Sequence, residues 1–200
     1  MTKRRSRLFK LAAITMVAGV LGVWYVKLHP LVFNESLWEH AHCMPQAGMA
    51  FRTYAVDHGG RFPYSTNGYG DALLLLTNGM ANFWGPLTGP GYDGAVFAEA
   101  ARAGAHVPEK ACGRVYVQGL GDTNNPEIAV LFDKVAAPPD HCHFPRRLWW
   151  GFVREVCFVD GSWRTVPAGQ WPDFARQQVE LLVAAGFPRA QAQQLYGQVK

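Results

Sequence analysis

An uncharged, mostly apolar run from Leu11 to Val26 dominates the hydropathy pattern near the start of the chain. Lys and Arg residues precede it and a Lys follows it, where long cationic side chains can reach lipid headgroups. It ends in Trp24 and Tyr25, which suit a membrane interface, and not in the small residues of a cleavage site. The pattern predicts an uncleaved, single-pass signal anchor within residues 1–30, with residues 31–200 in the periplasm or outside the cell. A buried helix of a soluble domain and a cleaved signal peptide are the alternatives.

The next predicted element is a long helix from Ser36 to His58. Ser36 and Glu39 form a capping box, apolar residues then recur at steps of three and four, and Gly59 and Gly60 can provide a left-handed C-cap. One face of the helix is expected to be buried and the other to face solvent or partners. The expected buried residues are Trp38, Met44, Phe51 and Tyr54, and the expected exposed ones are Glu39, His42 and Arg52.

Shorter elements follow this helix. The sequence predicts a buried helix from Asp71 to Gly79, capped by Asp71, and a loop from Phe83 to Gly94. It predicts a further helix from Ala95 to Ala103. From Arg114 the apolar period changes to two, which predicts strands at Arg114 to Gln118 and Glu127 to Phe132.

A hairpin is predicted where two β-rich runs flank Asp160 and Gly161, and it is expected to lie at the centre of an antiparallel sheet. Pro172 marks the start of a helix that ends at Gly186, and Pro188 starts a last one. The fold class is therefore α+β, with an N-terminal transmembrane helix, a long helix packed on a small antiparallel sheet, and C-terminal helices.

The charge distribution changes how the basic composition is interpreted. The chain has 19 Lys and Arg and 15 Asp and Glu residues, but six of those cations flank the apolar run. The rest of the chain therefore contains 13 cationic and 15 acidic residues. The positive charge therefore indicates membrane topology, and a nucleic-acid partner is not expected. The six cations are Lys3, Arg4, Arg5, Arg7, Lys10 and Lys27.

The cysteines are even in number, widely spaced and free of any C-x-x-C pair. In a domain on the oxidising side of a membrane, this usage predicts two disulfides, and the sequence leaves the pairing open. The residues concerned are Cys43, Cys112, Cys142 and Cys157.

Two loops carry candidate ligands. Asp140 to His143 contains two histidines and a cysteine, which suit zinc or copper, and gives the alternative function of a membrane-tethered metal-binding or redox enzyme. The simpler interpretation makes Cys142 half of a disulfide. An oxygen-rich loop with Asp122, Asn124 and Glu127 could hold calcium, although Asp and Asn also make ordinary turns. No nucleophile motif is present, so no catalytic residue is assigned and no enzyme is expected.

Two segments resemble a known family. Cys43 to Pro63, with Tyr54, Asp57, Gly60, Phe62 and Pro63, resembles the segment after the membrane helix in pseudopilins of type II secretion. Val156 to Ser162, with Asp160 and Gly161, resembles the strand pair of the prepilin-like group named for its H-x9-DG spacing.

This resemblance implies a head built from a long helix on a small antiparallel sheet, with calcium in a loop near the sheet. It also implies a structural or interaction role, beside other pilin-like proteins, in a type II secretion or type IV pilus-like assembly. The chain departs from the family in two places. Phe9-Lys10-Leu11 stands where a prepilin peptidase motif is expected, and Trp150 stands where the group has its histidine. We therefore expect an unprocessed N-terminus.

Overall fold

The computed structural model describes residues 16, 43–77, 87, 89–90, 92, 95–137 and 151–197. The chain divides into two units, Met1–Glu39 and His40–Lys200, and the elements below belong to the second. The predicted anchor (apart from residue 16) and the start of the long helix lie outside the described residues. Within the described ranges, none of the helices combines the length and apolar character needed to cross a bilayer.

The described part is α+β, with a four-stranded antiparallel sheet in the order β1-β2-β3-β4. The helices are α1 (Cys43–Asp57), α2 (Tyr69–Leu74), α3 (Ala95–Ala103), α4 (Trp171–Ala184) and α5 (Arg189–Gly197). The strands are β1 (Arg114–Tyr116), β2 (Ala129–Asp133), β3 (Val153–Phe158) and β4 (Trp163–Pro167). Single 3₁₀ turns lie at Leu75–Thr77, Glu109–Ala111 and Ala168–Gln170.

Helix α1 buries one face against the sheet, as its periodicity predicts. Met44 and Phe51 are buried and Arg52 is exposed, which confirms those three predictions, whereas Tyr54 is only half-buried. The Phe51 ring stacks on Tyr116 of β1 with centroids 5.1 Å apart. Trp38, Glu39 and His42 lie outside the described residues. Because this aromatic pair joins the helix to an edge strand, α1 is part of the core and does not stand apart from it.

The opposite face of the sheet is covered by the two C-terminal helices. Phe132 of β2 contacts Trp171 and Tyr196, with ring centroids 5.5 and 4.7 Å away. The buried Gln178 of α4 accepts a hydrogen bond from the Ala129 N–H at 2.8 Å, where the β2–β3 register shifts. Pro172 lies in the first turn of α4, as predicted. The sheet is thus enclosed between α1 and the α4–α5 pair.

Three local predictions are corrected by the structure. The hairpin lies at one end of the sheet, with β4 as an edge strand, because β2 pairs with β3 on the other side. Asp71 does not cap α2: the N-cap position is Gly68, and the Asp71 carboxylate accepts the Val107 N–H at 2.7 Å. Leu87 is helical and buried inside a stretch predicted to be loop.

Asp71 also joins α2 to the segment that follows α3. His106 Nδ1 donates to its Oδ1 at 2.9 Å, in addition to the bond from Val107. Burial opposes ionisation of this carboxyl, but the hydrogen bonds from His106 and Val107 outweigh that effect and lower the pKa of Asp71 below its ordinary value. The Asp71 side chain, which local sequence rules assign to a helix N-cap, therefore bonds instead to residues that are distant in the sequence.

Candidate functional site

The exit from α1 is fixed by hydrogen bonds to the β1–β2 loop. Gly60, with φ of 82°, donates its N–H to the Ala55 carbonyl at 2.8 Å and accepts the Asp122 N–H at 2.8 Å. A Cβ at Gly60 would lie 2.6 Å from Asp122 Oδ1, so a larger residue would disturb this contact. The Phe62 N–H then donates to the Leu120 carbonyl at 3.1 Å. The chain therefore leaves the helix in one defined direction.

The other residues of this motif have separate roles. Tyr54 stacks on His58 with centroids 3.7 Å apart, and His58 Nδ1 lies 2.8 Å from the Tyr54 carbonyl oxygen. Asp57 is exposed at the last position of α1. The Pro63 carbonyl accepts a hydrogen bond from the buried Tyr116 hydroxyl at 2.7 Å. The motif therefore shapes the helix end and its attachment to β1.

The β3–β4 turn is closed by two backbone hydrogen bonds at its ends. The Gly161 N–H donates to the Phe158 carbonyl, and the Phe158 N–H donates to the Ser162 carbonyl, both at 2.9 Å. Gly161 has φ of 79°, in the left-handed region that favours glycine. Asp160 Oδ1 accepts the Ser162 N–H at 2.8 Å. Asp160 and Gly161 therefore shape the turn, as their sequence pattern indicates.

Helix α1 and this turn meet with almost nothing between their backbones. A Cβ on Gly48 would lie 2.4 Å from the Gly161 carbonyl oxygen and 3.3 Å from Cys157 Sγ. Beside this contact, the Arg52 guanidinium donates to the Asp160 carbonyl at 3.2 Å. The two segments that carry the family resemblance are therefore joined directly. We call this contact, made by Gly48, Arg52, Asp160 and Gly161, the helix–turn junction.

The predicted calcium loop closes through its own side chains. Asn124 Oδ1 accepts the Gly121 N–H at 2.8 Å, and Asn125 Oδ1 accepts the Glu127 N–H at 2.9 Å. Asp122 lies beside Gly60 at the exit from α1. The second bond is an ordinary Asx turn and the first a local side-chain contact within the loop, so both asparagine oxygens bond to backbone N–H groups. In the described part of the chain, no cluster of three or more His, Cys, Asp or Glu side chains could hold a metal ion. The Asp140 to His143 loop lies outside that part.

The structure describes two of the four cysteine side chains in the predicted disulfides, and these two are not bonded to each other. Cys112 and Cys157 are free, buried thiols in the structure. Cys112 Sγ lies 3.8 Å from the Pro108 carbonyl oxygen, whereas Cys157 lies under α1, so each thiol occupies its own part of the core. Burial raises the pKa of each to about 12. Cys142 and the side chain of Cys43 are not among the described parts.

A row of buried charges, which the sequence pattern does not predict, crosses three strands. Arg114 of β1 donates from Nε to Asp133 Oδ1 of β2 at 2.9 Å, and its terminal nitrogen lies 3.6 Å from the Glu155 carboxylate of β3. Asp133 Oδ2 also accepts the Glu155 N–H at 2.8 Å. All three residues are buried. Burial raises the pKa of Asp133, although Arg114 opposes this effect.

This charge row can fix the alignment of the strands. A slip of β2 by one residue would place the Asp133 carboxylate on the opposite face of the sheet and leave Arg114 without this partner. The sequence signal was present, since each strand carries one or more charged residues in an apolar run. The row lies within the core, where it joins three neighbouring strands.

Comparison with protein-family models, with curated proteins and with solved structures gives no match for this chain. A functional proposal therefore depends on the motif residues and on the geometry of the helix–turn junction.

Proposed function

We propose that the chain is a non-enzymatic, pseudopilin-like structural or interaction protein, anchored in the membrane through Leu11 to Val26. It would work in a type II secretion or type IV pilus-like assembly, with its head in the periplasm or outside the cell. The observation that carries this proposal is the helix–turn junction, where the backbones of Gly48 and Gly161 are so close that a Cβ on Gly48 would lie 2.4 Å from the Gly161 carbonyl oxygen. The junction links the two segments that resemble the family, in a head of the architecture that the resemblance implies.

The attachment of α1 supports a role in which force is transmitted along the helix. One face of the helix is fixed by Phe51 against β1, its middle by Gly48 against the β3–β4 turn, and its end by Gly60 against the β1–β2 loop. Three separate contacts resist rotation and sliding of the helix better than one hydrophobic stripe does. A force applied along α1 would therefore be passed to the whole sheet.

The outer face of α1 supports an interaction role. Met49 is 62% and Val56 80% exposed, one turn on either side of the exposed Arg52 and Thr53. These side chains are one and two turns apart on one face of the helix, which is the spacing by which helices recognise partners. Arg52 is held in place by the Asp160 carbonyl and is therefore presented in a defined position.

The buried thiols support a non-catalytic role. With pKa values of about 12, Cys112 and Cys157 stay protonated at neutral pH and are poor nucleophiles. Both are also closed to solvent. Neither thiol is therefore suited to covalent or redox chemistry in the folded protein.

Photo-crosslinking in membranes of the source cells tests the proposal. A photoreactive amino acid replaces Val56 in the full-length chain, and a matched chain carries it at the exposed Gln193 of α5. We expect membrane-dependent adducts with another protein at position 56 and none at position 193. If position 56 gives no adduct although the protein is folded and membrane-bound, the interaction role is overturned.

A second measurement separates this proposal from the enzyme alternative. The full-length protein, extracted in detergent, is assayed for bound zinc and copper before and after His141→Ala and His143→Ala. We expect no stoichiometric metal in either sample. One equivalent of metal that disappears with both substitutions would favour the enzyme and contradict the proposal.

A further inference from the structure

We draw no further inference here: the strongest candidate, the open groove of about 800 Å³ between α4 and α5, carries nothing because its charged side chains pair with one another, Asp173 with Arg176 and Glu180 with Arg189, and the Tyr196 hydroxyl beside it, which has no hydrogen-bond partner among the described residues, is closed to solvent.

Discussion

Replacing Phe51 with Ala should destabilise the head strongly, because this buried ring packs on Tyr116 of β1. Phe51 is 1% exposed and touches two aromatic rings, with centroids 5.1 Å away at Tyr116 and 5.6 Å away at Phe62. Removing a buried phenyl ring loses its transfer free energy and leaves a cavity, which together cost about 3 to 5 kcal/mol. The aromatic contacts are already included in that range, since it comes from whole-residue substitutions.

The matched control is Val56→Ala on the same helix. Val56 is 80% exposed, so its replacement should change the free energy of unfolding by less than about 0.5 kcal/mol. Alanine also favours a helix at least as well as valine does, so the control does not weaken α1 itself. The difference between the two variants therefore isolates the packing of α1 on the sheet.

Urea unfolding of the full-length protein in mild detergent measures both variants. Near-ultraviolet circular dichroism follows the aromatic core, and the midpoint and slope give the free energy of unfolding. If Phe51→Ala and Val56→Ala differ by less than about 1 kcal/mol, α1 does not pack on the sheet as described. The proposed pseudopilin-like head would then lose its structural basis.

Three further predictions follow from the same contacts. Gly48→Ala should destabilise the protein by about 1 to 3 kcal/mol, the usual cost of overpacking, because the new Cβ would lie 2.4 Å from a backbone oxygen. Gly197→Ala, whose new Cβ would meet nothing within 4 Å, is the control and should be neutral or stabilising. Thermal melts measure both variants, and equal effects would contradict the helix–turn junction. Without reductant, Cys112 and Cys157 should resist maleimide in the native protein and react fully in urea; a requirement for reductant would instead restore the disulfide prediction. The pKa of Asp71 is lowered in the folded protein, so this carboxylate contributes stability that is present above its ordinary pKa of 3.8 and lost as pH falls through the lower folded value. Asp71→Asn should therefore make the free energy of unfolding fall less steeply as the pH is lowered in the acidic range. An unchanged pH dependence would exclude this contribution.

Local signals in the sequence predicted the parts of the fold that local chemistry determines. Gly59 and Gly60 end α1 because both adopt positive φ, and the turn at Gly161 requires the same freedom. Elements with their own start and stop residues, such as α4 with Pro172 in its first turn, are predicted for the same reason. The helix–turn junction was not predicted as a contact, because nothing near Gly48 in the sequence identifies its partner.

The features that were missed depend on partners far away in the chain. Arg114 and Asp133 are 19 positions apart, and each looks like an outward residue when its strand is considered alone. Their burial follows from the order of strands, which alternating polarity does not specify. The same reason explains Asp71, whose partner at Val107 lies 36 positions away.

The helix–turn junction also constrains the order in which the protein folds. Arg52 and Asp160 are 108 positions apart, so α1 is synthesised long before the turn on which it docks. At a synthesis rate of about 5 to 20 residues per second, the interval between them is roughly 5 to 20 seconds. The β3–β4 hairpin closes within microseconds once it exists, so the docking of α1 waits for synthesis and not for the hairpin. During that interval β1 and β2 are made, but the β3–β4 turn against which Gly48 and Arg52 pack is absent, so this part of α1 stays uncovered in the nascent chain.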